Sequence, residues 1–190
     1  MNGGGLAYWW FKVCAMAWLT LGRAKPAEAI FDTMLQRWPR DAYALASRSH
    51  VYAASGRRTE AIADLQTLLA AQPEHASVYW FNLGFLLEDD GRYAEAEPAF
   101  RRALALDDKA DRAWYGLGLV LIRLQRPEEA VAALKRNTEL QPMSPYGWYQ
   151  LARVQFDREK PDETRKIIRH LKGFEPKVAA QLERETGVVA

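Results

Sequence analysis

A short aromatic motif recurs in this chain at an interval of 34 residues. The sequence WFNLG begins at Trp80, WYGLG begins at Trp114 and WYQLA begins at Trp148. In each copy a Leu lies three residues after the Trp, and a very small residue follows that Leu. A fixed interval of this kind is typical of repeat proteins, in which each copy is one supersecondary unit that stacks on its neighbours.

Two earlier copies of the same pattern begin at Phe11 and Leu45, so five copies cover most of the chain. Each copy contains two segments with the apolar period of an amphipathic helix. Glycine separates the two segments in the first three copies and is suited to the left-handed conformation that ends a helix. Small residues recur where two helices would approach each other: Ala15, Ser49, Gly84, Gly118 and Ala152.

The sequence therefore resembles the tetratricopeptide repeat (TPR) proteins, whose unit carries Trp-x2-Leu-Gly-x2-Tyr, then Ala-x3-Phe, then Pro. This resemblance implies an all-α fold, a right-handed α-solenoid of five TPR helical hairpins plus a C-terminal capping helix. We predict a flexible N-terminus over 1–7, repeats at about 8–41, 42–75, 77–110, 111–144 and 145–176, and the capping helix at 176–187.

Two further expectations concern local structure. We predict that Trp80, Trp114 and Trp148 are core residues wedged between the two helices of their hairpins, because aromatic residues at helical spacing usually pack cores. The side chains that precede the first helix of a unit are expected to cap its free N–H groups. These side chains are Asp41, Asp108 and Ser144.

Composition restricts the classes of function. The net charge is only +2, and Glu88, Asp89 and Asp157 interrupt the face that nucleic acid would need, so we expect no nucleic-acid partner. There is a single cysteine, Cys14, and the histidines are far apart, so we expect no metal. The sequence has no nucleophile turn and no phosphate-binding loop. We therefore expect a protein that is not an enzyme and has no cofactor.

The segment from Leu6 to Gly22 is apolar almost all round and is broken only by Lys12. It is shorter than the ~20 residues of a membrane span, and no basic residue precedes it as in a secretion signal. We favour a buried helix in a cytoplasmic protein, and a signal or membrane anchor is the alternative.

One stripe of this first helix has no earlier segment to cover it: Leu6, Trp10, Ala17 and Leu21. Because a helix that is apolar all round is normally covered on all sides, we predict an oligomer or partner contact at this edge. The alternative is that these side chains lean onto their neighbours.

In TPR proteins the first helix of each unit lines the concave face, and the resemblance assigns the groove to fixed positions around the core aromatic residue. The implied groove residues are Trp9, Lys12, Met16, Tyr43, His50, Phe81, Asn82, Phe85, Arg112, Tyr115, Leu119, Tyr146, Tyr149, Arg153 and Phe156. Trp, Tyr and Arg are the residues enriched at binding hot spots. The alternative is that these aromatic side chains pack on each other across adjacent units.

The leading hypothesis is a non-catalytic protein–protein interaction module that binds a peptide or helical segment, as an adaptor, assembly factor or chaperone-like protein. The alternative is a self-associating scaffold, a homo-oligomer formed through the apolar N-terminal helix. Some TPR domains grip the C-terminal carboxylate of heat-shock chaperones. Lys12 and Asn82 suit that role, but Met16 stands where an Asn is required, so we do not expect this specificity.

Overall fold

The computed structural model describes residues 5–72, 74 and 76–190, which contain eleven α-helices and no strand. In chain order the helices are α1 (Gly5–Thr20), α2 (Ala24–Arg37), α3 (Ala42–Ala54), α4 (Arg58–Ala71), α5 (Ser77–Asp89), α6 (Tyr93–Leu106), α7 (Asp111–Arg123), α8 (Pro127–Leu140), α9 (Pro145–Asp157), α10 (Pro161–Lys172) and α11 (Pro176–Thr186). The predicted all-α fold is confirmed, and α11 occupies the position of the capping helix. Because α1 begins at Gly5, residues 5–7 are helical, contrary to the predicted flexible terminus; residues 1–4 lie outside the described residues.

The turn within each hairpin contains a residue in the left-handed conformation. Gly22, Gly56 and Gly91 have φ values of 69°, 79° and 75°. In the fourth and fifth hairpins the same position is taken by Gln125 and Glu159, with φ values of 59° and 58°. These two side chains adopt a conformation that glycine accepts at lower cost.

The chain divides into two compact units, Met1–Leu86 and Leu87–Ala190. In the N-terminal unit, α1 contacts α2, α2 contacts α3 and α3 contacts α4. Phe31 and Met34 are fully buried in its core, and Phe11 and Trp18 of α1 pack against them. This face of α1 therefore meets α2, as the hairpin requires.

An ion-pair cluster links three helices of this unit. Arg48 of α3 donates from Nε and Nη2 to the two carboxylate oxygens of Asp64 in α4, at 2.8 and 2.7 Å. Its Nη1 donates to Asp32 in α2 at 2.7 Å. Asp64 is buried, so this fork-to-carboxylate pairing is needed to offset the loss of water around its charge.

In the C-terminal unit each helix from α6 to α11 contacts the next, and α9 also contacts α11. A Cβ added to Gly118 would lie 2.7 Å from Cγ of Leu134, so the predicted close approach of α7 and α8 depends on that glycine. Leu182 of α11 is fully buried, and α11 is followed by Gly187, which caps it with a φ value of 70°. This last helix closes the apolar end of the unit.

Two local expectations need correction. Trp80, Trp114 and Trp148 are half-buried and are not core residues. The indole N–H groups of Trp114 and Trp148 donate to the carbonyl oxygens of Asp108 and Pro142, both at 2.9 Å, which holds one ring edge near the surface.

Of the three predicted caps, Asp41 accepts a hydrogen bond from the Ala44 N–H at 2.8 Å. Ser144 stands at the N-cap of α9 without a side-chain bond to the helix, and Ala110 takes the N-cap of α7 in place of Asp108. A side chain that is able to cap a helix does not always do so, and of these three only Asp41 does.

Candidate functional site

The N-terminal unit exposes a continuous apolar stripe on α1. Leu6 and Trp10 are 88% and 62% exposed, and Ala17 and Leu21 are exposed as well. The predicted groove residues Trp9 and Met16 are also exposed, and Trp9 lies three residues from Leu6, so it neighbours this edge on the helix surface. The predicted groove and the predicted contact edge therefore meet at Trp9.

Lys12 and Tyr43 contact each other in this unit. The Lys12 Nζ lies 4.1 Å from the centre of the Tyr43 ring and 5.5 Å from the centre of the Tyr8 ring. The attraction between an ammonium group and an aromatic face accounts for this position. Both groove residues are half-buried, and they contact each other across the first two repeats.

The other groove residues of this unit lie on α3 and α5. His50 is exposed, whereas Phe81 and Asn82 are half-buried. The Phe85 ring is 50% exposed and stacks on the Phe81 ring with a centroid distance of 6.3 Å. These residues form an exposed aromatic step on α5.

The C-terminal unit brings three predicted tyrosines to one concave site. Tyr115 of α7 and Tyr146 and Tyr149 of α9 line a pocket of ≈ 310 Å³. We call this site the tyrosine pocket; its other lining residues are Pro145, Gln150, Val178 and Gln181. Its size falls at the lower end of the range for ligand pockets, and its wall mixes aromatic area with a few polar groups, as binding sites do.

Helix α11 fixes one side of the tyrosine pocket through hydrogen bonds. The Tyr149 hydroxyl donates to the Glu185 carboxylate at 2.7 Å, and the Gln181 amide donates to the same carboxylate at 2.7 Å. Both hydrogen bonds lower the pKa of Glu185, and the bond from Gln181 has the larger effect. The guanidinium carbon of Arg153 lies 5.9 Å from the centre of the Tyr149 ring. One rim of the pocket therefore carries a carboxylate and a guanidinium group.

Tyr115 forms the inner wall of the pocket. Burial raises the pKa of Tyr115, and the nearby Glu88 carboxylate adds to the rise, whereas a hydrogen bond from Gln150 opposes it. The phenol therefore stays neutral at physiological pH and keeps a hydroxyl that can donate to a ligand carbonyl.

Four predicted groove residues of this unit do not line the tyrosine pocket, and one of them, Arg153, lies at its rim beside Tyr149. Arg112 is exposed at the start of α7, Leu119 is half-buried, and Phe156 is 39% exposed near the end of α9. In contrast, Val178 and Gln181 line the pocket and were not predicted. The prediction used positions in the first helix of complete repeats, and α11 lies outside those repeats.

The described residues contain no group of three or more His, Cys, Asp or Glu side chains that could hold a metal ion. Within the same part of the chain, every helix is too short or too polar to cross a membrane.

The comparison with protein families matches two tetratricopeptide repeat models, one to residues 81–141 and the other to residues 41–109. Together the two matches span residues 41–141, more than half of the 190 residues. A search of the curated proteins found no match.

Solved structures of other repeat proteins are similar to this chain. MamA from Desulfovibrio magneticus RS-1 is 18% identical with a TM-score of 0.81, over 96% of this chain and 98% of that chain. YrrB, described as a TPR protein with an unusual peptide-binding site, is 19% identical with a TM-score of 0.81, over 90% and 88%. A tetratricopeptide repeat protein from Parabacteroides merdae is 19% identical with a TM-score of 0.83, over 96% and 75%. At these identities the likeness shows the fold, an α-solenoid of helical hairpins.

Proposed function

Because this chain belongs to the tetratricopeptide repeat family, we propose that it is a non-catalytic protein–protein interaction module that binds a peptide or helical segment. The tyrosine pocket is the binding site, and the protein acts as an adaptor, assembly factor or chaperone. The observation that carries the proposal is the convergence of Tyr115, Tyr146 and Tyr149 on one concave site. The likeness to YrrB, described as a TPR protein with an unusual peptide-binding site, supports the same class of function.

The chemistry of the pocket favours one apolar or aromatic anchor residue of the partner. Tyrosine offers rigid apolar area at small entropic cost, and Tyr146 is 71% exposed, so its ring is available to a partner. Gln150 and Gln181 provide amide groups that can bond to the partner's backbone. Glu185 and Arg153 at the rim contribute charges of both signs, which fix the orientation of the bound segment.

The test begins with a selection from a displayed random-peptide library on the folded protein. Enriched peptides are then measured against a Tyr146→Ala, Tyr149→Ala variant. We expect this variant to bind at least tenfold more weakly, because loss of one hot-spot aromatic residue costs about 2 kcal/mol or more. The matched control, Tyr146→Phe with Tyr149→Phe, keeps the apolar area and is expected to retain most of the affinity. Equal binding to all three proteins would place the peptide site outside the tyrosine pocket.

The exposed stripe on α1 favours a second candidate, self-association as a scaffold. Leu6 and Trp10 together leave a large apolar area in water, and such patches usually mark contacts with other molecules. Light scattering of wild type and of a Leu6→Glu, Trp10→Glu variant tests this candidate. A wild-type oligomer that becomes a monomer in the variant supports it, and a wild-type monomer at high concentration excludes it.

A further inference from the structure

A second pocket of ≈ 310 Å³ lies between α8, α9 and α10 of the C-terminal unit and shares no lining residue with the tyrosine pocket. We call it the lysine pocket. The lining residues that matter here are Lys135, Trp148, Gln155, Glu163, Lys166 and His170. None of them belongs to the predicted groove.

An aromatic wall forms one side of the lysine pocket. The Trp148 and His170 rings lie 4.5 Å apart between centroids, and the Phe174 ring lies 5.4 Å from His170. The Trp148 N–H is already donated to the Pro142 carbonyl oxygen. The indole therefore has a fixed orientation and offers the pocket its apolar surface, on which a flat group can stack.

The charged groups of the pocket leave one ammonium group, that of Lys135, outside any direct ion pair among the described residues. Glu163 pairs with the Lys166 Nζ at 2.7 Å, and Glu139 pairs with Arg136 at 2.9 Å. Lys166, and to a lesser extent Lys135, lowers the pKa of Glu163. However, among the described residues Lys135 has no carboxylate within ion-pair distance. Lys135 can therefore take a carboxylate from a ligand.

Gln155 adds a hydrogen-bond donor without an acceptor. This side chain is only 4% exposed, and its Oε1 accepts from Arg158 Nη1 at 3.0 Å. No acceptor for its Nε2 is found among the described residues, yet no side-chain nitrogen or oxygen in them is both fully enclosed and unpartnered. The amide nitrogen therefore keeps some contact with solvent, and Gln155 lines the pocket. A ligand acceptor there would recover a hydrogen bond that the protein alone leaves unmade.

The same positions one repeat earlier show that these features are not required by the fold. Arg101, the counterpart of Lys135, is neutralised by Glu97 and Glu129, both at 2.8 Å. The counterpart of Gln155 is Leu121, which fills the core with apolar atoms. The fourth repeat thus has Lys135 in place of a neutralised arginine, and the fifth has Gln155 in place of a leucine, and both replacements are hydrogen-bond donors.

We propose that the lysine pocket is a second binding site, which takes an acidic peptide segment with an aromatic residue beside a carboxylate. The aromatic ring stacks on Trp148, and the carboxylate accepts from Lys135 Nζ and Gln155 Nε2. The volume fits one aromatic side chain and its neighbour. This site goes beyond the proposed function, because it stands whether or not the tyrosine pocket binds peptide.

The test is a two-dimensional proton–nitrogen NMR titration of the full chain with the peptide acetyl-Glu-Phe-Glu-amide. The expected result is a saturable shift of the Trp148 indole N–H and of the Gln155 side-chain amide. The neutral peptide acetyl-Gln-Phe-Gln-amide should bind about tenfold more weakly, because it lacks the charge-assisted hydrogen bonds. Shifts confined to Tyr146 and Tyr149, or equal binding of both peptides, would overturn the proposal.

Two variants and a matched control locate the contact. Lys135→Gln and Gln155→Leu should each weaken binding of the acidic peptide about tenfold. Lys109→Gln makes the same change of charge at an exposed residue outside the pocket and should leave the affinity unchanged. Lys135 is exposed, so its substitution preserves the fold and decides the outcome even if Gln155→Leu unfolds the unit. Unaltered affinity of Lys135→Gln refutes the site.

Discussion

In the N-terminal unit the second repeat carries Arg48 where the fourth and fifth repeats, in the C-terminal unit, carry Leu117 and Leu151. The two leucines are buried, whereas Arg48 bridges Asp64 and Asp32. The helices that carry these three residues, α3, α7 and α9, nevertheless have the same length of 13 residues. The comparison teaches that the repeat dictates which positions face inward, and that apolar packing or a satisfied ion pair can fill them.

The outermost helices of the two units also differ. Helix α11 buries Ala179 and Leu182 and presents mostly polar side chains to water, with Lys172 and Glu183 paired at 2.9 Å. Helix α1 buries Ala15 but leaves Leu6 and Trp10 exposed. A polar outer face is what a terminal repeat needs for solubility, so α11 has the character of a cap, whereas α1 lacks such a face.

The largest effect expected from this difference is on stability. Leu182→Ala removes a fully buried side chain and should lower the free energy of unfolding by about 3 kcal/mol, through lost transfer energy and a cavity. Leu6→Ala should change it by less than about 0.5 kcal/mol, since the side chain is already in water. Urea unfolding of both variants measures the two values. A cost at Leu6 that matches Leu182 would show that α1 is covered in solution.

A smaller effect is expected from the exchange of ion pair for leucine. Arg48→Leu should cost about 2–3 kcal/mol, because it leaves the buried Asp64 carboxylate without its partner. Later repeats carry alanine, Ala99 and Ala133, at the position of Asp64. Adding Asp64→Ala to Arg48→Leu should therefore recover most of the loss of stability. The single and double variants are compared by urea unfolding. If the double variant is no more stable than the single, the unpaired carboxylate is not the cause of the loss.

The fold could be predicted from the sequence because its signal is repeated. Helical period, glycine at the turns and small residues such as Gly118 all report backbone geometry, which is local. The exposure of Trp114 and Trp148 could not be predicted in the same way. This exposure depends on indole hydrogen bonds to carbonyl groups in the preceding loops. The spacing of the aromatic residues does not indicate those bonds.

The candidate site could be predicted only in part. Tyr115, Tyr146 and Tyr149 follow from their positions within complete repeats, so sequence reasoning found them. Val178 and Gln181 enter the pocket because α11 packs on α9, and the repeat pattern does not extend to that helix. The polar character of α11, together with Val178 on an otherwise polar surface, was the only available signal.

A third prediction concerns Tyr8, which joins α1 to the N-terminus of α3. Its hydroxyl donates to the Asp41 carboxylate at 2.9 Å. Burial, which has the largest effect, and this hydrogen bond, which has the next largest, raise the pKa of Tyr8 to about 12. Tyr8→Phe should cost about 1 kcal/mol at neutral pH, the usual net value of a hydrogen bond.

The pH dependence of this contact has a definite sign. The folded-state pKa of Tyr8 lies above the ordinary tyrosine value of ~10. Its contribution to stability is therefore fully present below pH ~10 and is lost as the pH rises through about 12. Unfolding of wild type and Tyr8→Phe, measured at pH 8 and 11, should show a smaller difference at the higher pH. A difference that is constant across this range would mean that the Tyr8 hydroxyl does not titrate as proposed.

The smallest effect separates the hairpin turns of the early repeats from those of the last two. Gly56 has a φ value of 79°, and a Cβ at this position would meet no atom within 4 Å, so only backbone conformation opposes a side chain there. Gly56→Gln should therefore cost about 1 kcal/mol, and Gln125→Gly should stabilise the C-terminal unit by a similar or smaller amount.

The gain at Gln125 is the more informative of the two. Glycine relieves the left-handed strain of the folded turn, but it also increases the conformational freedom of the unfolded chain, so the two terms oppose each other. A measured gain in urea unfolding would mean that the last repeats tolerate strain that the early repeats avoid. No gain would mean that the freedom of the unfolded chain, or contacts of the Gln125 side chain, offset the relief of strain. Glu159→Gly, at the equivalent turn, would show whether this holds for both repeats.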